Sequence, residues 1–378
     1  MTIGIVSWGL TPFGRRPEGL VGLLCQAGEE ALERSPGLRP DALLVGSMAG
    51  GTLAGVENLS AEVADALGLS GRPAARVEAA SATGAAALQM GVAWLRGSGM
   101  RSVLVLAGEK MTARPGPELT RDLSLSLAPE EVRHGATMPA MAALLTTLYL
   151  RQWKVPEERL GEVTVRNRAW ASRNPRAHLG TPVTLEQVNT SRMISTPLRL
   201  LHVSPVSDGA AAVLLARDLG AVQVTGLGQA TEVLPVLSRD PESGFRATRL
   251  AAAEAYAQAG LTRKEVGVAE VHDAFAPFEL MDLEDLGFCG PGEGIRFVEE
   301  GRGDLDGVLP VNPSGGLLGR GHPVGASGLA QVVEVYRQLV GEAERHQVPS
   351  RPRVGLAQSV GGLGSHNFVT ILERSGAA

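Results

Sequence analysis

The chain has 378 residues, 44% of them hydrophobic and 20% charged, with a formal net charge of -5. That is a globular composition, long enough for two packed units and without the basic footprint of a nucleic-acid binder. Aromatic residues supply only 4%, too few for a base-stacking surface, and the two cysteines, Cys25 and Cys289, suggest neither a disulfide framework nor a metal cluster.

From the start, residues 1–6 show no basic n-region, and no segment offers about 18 uninterrupted apolar residues, so a cytoplasmic protein without a membrane span is expected. Residues 3–8 read as a buried strand. Residues 20–32 read as a helix that stops before Ser35-Pro36-Gly37. A strand over 42–45, a helix over 58–67, a strand over 75–79, an alanine-rich helix over 84–95 and a strand over 103–106 follow. Alternation of this kind predicts a layered α/β unit with largely parallel pairing.

From Met111 to about Pro205 the rhythm changes, interrupted by eight prolines before Pro205 itself, although 141–153 and 160–172 keep helical patterns. So long an excursion reads as an inserted subdomain rather than a linker. Strands resume at 210–215 and 222–227, helices at 249–259 and 275–286, and further strands end at Val271 and cover 354–358 and 368–372. Residues 81–106 and 322–357 each run from a small-residue turn through an apolar helix into a strand. This suggests an internal duplication.

Four turns at predicted strand ends or helix starts carry residues usable in acyl chemistry, and strand ends are where α/β sheets tend to bind ligands. They are Glu78-Ala79-Ala80-Ser81-Ala82-Thr83-Gly84, Glu270-Val271-His272-Asp273-Ala274-Phe275, Gly321-His322-Pro323, and Gln358-Ser359-Val360-Gly361-Gly362-Leu363-Gly364. His272 and His322 sit in glycine-rich or small-residue turns rather than on apolar helix faces, which favours function over packing. Glu78 and Asp273 are expected to brace their turns through backbone hydrogen bonds.

The run Asn312-Pro313-Ser314-Gly315-Gly316, five residues, then Gly321-His322-Pro323-Val324-Gly325-Ala326-Ser327-Gly328 resembles the Gly-His-Pro block of the thiolase family. Pro197-Leu198-Arg199 with Ser207-Asp208-Gly209-Ala210 is similar to the block closing that family's loop domain. His272-Asp273-Ala274-Phe275 and Leu283-Glu284-Asp285-Leu286-Gly287-Phe288-Cys289 resemble its sterol-carrier-protein and archaeal branch. The resemblance spans nearly the whole chain.

It implies an α/β thiolase fold: two similar βαβαβαββ halves, residues 1–220 and 221–378, stacked as an α-β-α-β-α five-layer sandwich. A loop domain over about 111–205 would be inserted in the first half. It also implies homodimers or homotetramers, no tightly bound cofactor, and coenzyme A thioesters as substrates, bound between the inserted region and the His322 turn. The family takes an acyl group onto a cysteine, and here the aligned residue is Ser81; its later proton-exchanging cysteine aligns with Ser359. His322 and His272 would stabilise one oxyanion, and the amides of Ser81 and Gly361 a second. Arg166, Arg168 and Arg173 are candidate contacts for coenzyme A phosphates.

Without its thiols the chain admits three readings. The first is an acyltransferase of acetyl-CoA acetyltransferase or 3-ketoacyl-CoA thiolase type, with Ser81 accepting the acyl group or with no covalent intermediate. The second is a non-catalytic acyl-CoA-binding subunit, working with a separate acyl-binding partner protein. The third is a retro-aldol lyase of the lipid-transfer type. Such lyases use a tyrosine in the His-Asp-x-Phe region, and Tyr149, Tyr256 and Tyr336 all lie outside it, so this reading ranks last.

Overall fold

The computed structural model describes residues 1–240 and 244–375. Its strands are β1 (Ile3–Leu10), β2 (Ala42–Gly46), β3 (Ala74–Val77), β4 (Ser102–Glu109), β5 (Met193–Ser195), β6 (Leu198–Arg199), β7 (Gly209–Arg217), β8 (Val222–Thr231), β9 (Val268–Glu270), β10 (Val354–Gly361) and β11 (His366–Arg374). Nine of them follow the order β3-β2-β4-β7-β1-β8-β11-β10-β9, while β5 and β6 pair separately. The seam between β1 and β8 is narrow, two residue pairs long: Gly4 with Gln223 and Ile5 with Val222.

Alternate side chains of a strand face opposite sides, and this builds the layers. In the first half Leu43, Val45, Leu104, Leu106 and Leu214 face outward onto Leu24 and Ala27 of the Leu20–Glu33 helix. Their neighbours Leu44, Val103, Val105, Val213 and Leu215 face inward. There they meet Leu88 and Val92 of the Thr83–Gly97 helix and Leu329 and Val333 of the Ser327–Val340 helix. In the second half Ala357 and Leu372 close on the same centre, and Leu356, Val369 and Ile371 turn out to Ala251 and Ala255 of the Arg246–Ala259 helix. Outer helix, strands, central helices, strands and outer helix make the five layers.

The central helices touch at their starts. A Cβ on Gly84 would lie 2.5 Å from the Leu329 nitrogen, and one on Gly328 would lie 2.8 Å from the Ala85 nitrogen, so both must be glycine. Overpacking there would typically cost about 1–3 kcal/mol. Since Ser81 and His322 lie just before these two helices, the same glycine contact fixes the turn of one relative to that of the other.

Strand pairing departs from the expected parallel pattern. Only β2 with β3, β2 with β4, and β9 with β10 run parallel; the other five neighbouring pairs are antiparallel. The excursion through residues 110–208 explains one of them, because Glu109 and Gly209 are register partners and the whole inserted region is closed like an oversized hairpin loop. Another is a true hairpin, β10 to β11, turning through Gly362 and Gly364 at φ of 62° and 89°. Among the described residues no helix is long and apolar enough to cross a membrane.

Candidate active site

Ser81 lies on the turn between β3 and the Thr83–Gly97 helix, and the residue before it, Ala80, holds a left-handed φ of 50°. The strain is over-determined by neighbours. Glu78 accepts from the Ala80 amide, while the Thr83 hydroxyl donates to the Ala80 carbonyl at 2.6 Å and accepts from the Ala79 amide at 2.9 Å. Ser81 is 6% exposed, and its Oγ donates to the Val360 carbonyl at 2.9 Å. The next residue of that strand end, Gly361, packs so close that a Cβ would fall 2.5 Å from the Ala79 carbonyl. The Ser81 and Gly361 turns are therefore in direct contact.

The His272 and His322 rings meet edge to face, 5.1 Å between centroids and at 85°. Asp273 holds the pair together. Its carboxylate accepts from the amides of Leu317 at 2.6 Å and Leu318 at 3.2 Å, at the start of the short Gly316–Arg320 helix that leads into His322. On the other side, Gln358 accepts from the His272 amide at 2.8 Å and donates to Asp282 at 2.9 Å.

The tautomer of His322 is tied to the Ser327 hydroxyl, which lies 3.0 Å from the Pro323 carbonyl and 2.7 Å from His322 Nδ1. With the hydroxyl proton on the Pro323 carbonyl, Nδ1 carries the ring proton and Nε2 a lone pair, so a neutral His322 can accept a proton; with the hydroxyl proton on Nδ1, Nε2 is the donor an oxyanion would need. Burial, then the Arg320 guanidinium, push its pKa down to about 3, and burial, His322 and Arg320 lower that of His272 in the same direction. His272 Nδ1 is buried and has no hydrogen-bond partner.

Ser81, His272 and His322 all face one cavity of about 250 Å³. Loop-domain residues Met111, Leu119, Met138 and Val203 to Val206 form one wall, and Phe275, Phe278 and Val324 line the other side. Ser359 is not on that wall. It is 2% exposed, its Oγ has no partner, and it abuts Gly328, while Gly362 rather than Gly361 reaches the cavity. Its hydroxyl faces the start of the Ser327–Val340 helix, where a Cβ on Gly328 would lie 2.7 Å from it.

Two of the three arginines expected at coenzyme A are engaged within the fold. Arg166 is buried in an ion pair with Glu279 and also donates to Asn167, and Arg168 donates both Nε and Nη2 to the Thr181 carbonyl, at 3.1 and 2.7 Å. Arg173 is exposed, 5.1 Å over the Trp170 ring. The reason is that the Gly161–Ala171 helix is buried on several sides, with Val163, Thr164, Asn167 and Ala171 also inside. The tyrosines likewise stand apart: Tyr149 donates to Glu284, Tyr256 to the Leu286 carbonyl, and Tyr336 sits in the central core.

Several site residues carry no role in the sequence reading. Ser327 lies within the Gly-His-Pro block, and its spacing of five from His322 across a helix start is the local signal for it. Met48, Met111, Leu119 and Met138 come from separate segments, and nothing local marks them.

A buried neutral histidine makes stability depend on pH. Between its ordinary value of 6.5 and about 3, the unfolded chain binds a proton at His322 and the native chain does not, so stability falls as pH falls. The expected loss is about 1.4 kcal/mol per pH unit. Denaturant unfolding at pH 6 and pH 5 should therefore give a shallower pH slope for His322→Asn than for the native chain; equal slopes would mean that His322 is protonated in the fold.

Comparison with known proteins gives the same arrangement a lineage. A model described as "Thiolase, N-terminal domain" matches residues 3–197, and one described as "Thiolase C-terminal domain-like" matches 228–374. An acetyl-CoA acetyltransferase of Methanothermobacter thermautotrophicus is 39% identical over 364 residues, spanning 93% of this chain and 94% of that protein. The benzoylsuccinyl-CoA thiolase subunit BbsB of Thauera aromatica is 30% identical, with 95% and 94% covered. Among solved structures, an Ltp2-ChsH2(DUF35) aldolase superposes with a TM-score of 0.84 at 24% identity, covering 99% of this chain and 98% of that one, which speaks for the fold alone. With both halves matched and the relatives aligned over almost their full length, the chain belongs to the thiolase family.

Proposed function

We propose that the protein is a thiolase-type acyltransferase acting on coenzyme A thioesters, in which Ser81 takes the place of the family's cysteine as acyl acceptor. The observation that carries this reading is that Ser81, His272 and His322 face a single largely apolar cavity under the loop domain. His322 Nε2 is the base: it removes the Ser81 proton as Oγ attacks the thioester carbonyl. The C–S bond then breaks, and the coenzyme A sulfur leaves with the proton from His322.

Imidazolium is disfavoured in this buried site, so proton transfer is easiest when an oxyanion forms beside it at the same time. His272, the second ring on the cavity, is placed to polarise that oxygen. A serine alkoxide is harder to generate than a thiolate, which makes acylation slow by the family's standard. The reading needs neither Ser359 nor a tyrosine, in keeping with where those side chains lie.

Intact-mass spectrometry after incubation with an acyl-CoA should show one added acyl group, mapped by peptide analysis to Ser81 and absent from Ser81→Ala. An unmodified chain that still binds the thioester would favour the non-catalytic subunit instead.

A further inference from the structure

We infer that the acyl group this site accepts is a bulky, uncharged, apolar one of about six to eight carbons, not acetyl. This deepens the proposed function and rests on its premise that the cavity takes a coenzyme A thioester.

Size is the first argument. An apolar protein cavity of about 150 Å³ holds a six-carbon benzene ring. The cavity beside Ser81 is about 250 Å³, so even with the thioester end of the coenzyme A arm inside it a two-carbon acyl group would leave apolar wall uncovered.

Chemistry is the second argument. Among the described residues no Asp, Glu, Lys or Arg side chain lines the cavity; its polar groups are the two histidines and a few hydroxyls, such as Ser81, Ser126 and Ser204. A dicarboxylic acyl group would carry its free carboxylate in with no counterion, which is costly.

Adaptability is the third. Met48, Met111 and Met138 all reach the wall, and methionine's flexible thioether accommodates irregular apolar shapes. Met111, Leu119 and Val324 form a small core cluster of their own with Leu53, flanked by Met48 and Leu123. It joins the Gly116–Ser124 helix of the loop domain to the residue two beyond His322. The apolar surface thus runs from the catalytic histidine outward to the loop domain, along the path an acyl chain would take.

The test is a chain-length series with two readouts. Calorimetry with non-transferable thioether analogues of acetyl-, butyryl-, hexanoyl-, octanoyl-, dodecanoyl- and glutaryl-CoA reports the cavity alone. Adduct formation on Ser81 with the corresponding thioesters reports transfer. Each buried methylene is worth about three- to fourfold, so affinity should rise on the order of a hundredfold from acetyl to hexanoyl, level near octanoyl, and be weak for glutaryl. Leu123→Trp, at the half-buried outer edge, should move the optimum to shorter chains.

Affinity that is flat with length, best for acetyl, or strong for glutaryl overturns the inference, and adduct formation would then leave the transfer reading standing. Rising affinity without any adduct sinks Ser81 transfer while the acyl class holds. Absence of binding across the whole series rejects both.

Discussion

Ser81→Cys should raise acyl transfer from an acyl-CoA by one or more orders of magnitude. The substitution adds little bulk, and the Val360 carbonyl that now accepts from Ser81 Oγ at 2.9 Å can take a thiol in the same place. A free thiol titrates near pKa 8.5 and is lowered at helix starts, so a useful fraction ionises at neutral pH, whereas a serine hydroxyl must lose its proton within the transition state. Ser81 lies two residues before the fifteen-residue Thr83–Gly97 helix, whose dipole favours an anion there. Burial and the Arg320 guanidinium weaken His322 as a base, which matters less for a thiol that is already partly ionised than for a serine hydroxyl. Each tenfold gain corresponds to about 1.4 kcal/mol of transition-state stabilisation. Acyl-adduct formation and iodoacetamide labelling, followed by mass spectrometry, measure it. Labelling no faster than in the native chain, with the fold intact by circular dichroism, would remove Ser81 from the reaction.

Much of this framework is legible in the sequence because strands and buried helices leave periodic marks. Leu43, Leu44 and Val45 are apolar in succession because both faces of β2 are covered, and such runs locate strands to within a few residues. Strand direction is not legible, since the Glu109 to Gly209 pairing depends on where a long inserted region returns. The turns with Ser81, His272 and His322 are readable because glycine and small residues at strand ends are local signals. The cavity wall is not, because Met48, Met138 and Phe278 converge only through tertiary packing.

Arg166 shows a different limit of the sequence. Arg166, Arg168 and Arg173 within eight residues suggest an anion-binding surface. Yet Arg166 answers carboxylates far away in sequence, and no local pattern reveals that a polar helix is buried.

The two roles for Arg166 can be told apart, because they predict opposite outcomes. A phosphate contact at the surface would, when removed, raise KM for the thioester and leave stability nearly unchanged. The structure instead pairs Arg166 with Glu279, the arginine side chain 6% exposed and the glutamate wholly buried. Glu279 also accepts from Asn167 at 2.7 Å and from Asn312 at 2.8 Å, and Asn167 donates to Asp273, whose pKa burial and Glu279 raise to about 7. Arg166→Met strips the counterion from this buried group of acids. Breaking such a pair from one side typically costs about 3–5 kcal/mol, because a charge is left without compensation. Glu279→Gln in the same chain removes that charge, so the double variant should recover a large part of the loss, with a coupling energy of about 1–3 kcal/mol in the cycle. Since Asp273 also holds the amides of Leu317 and Leu318 ahead of His322, the single variant should lose transfer rate along with stability, while thioester affinity stays near native. Denaturant midpoints and calorimetric titration of the three variants decide it: additive stability changes with weakened binding would return Arg166 to the coenzyme A site.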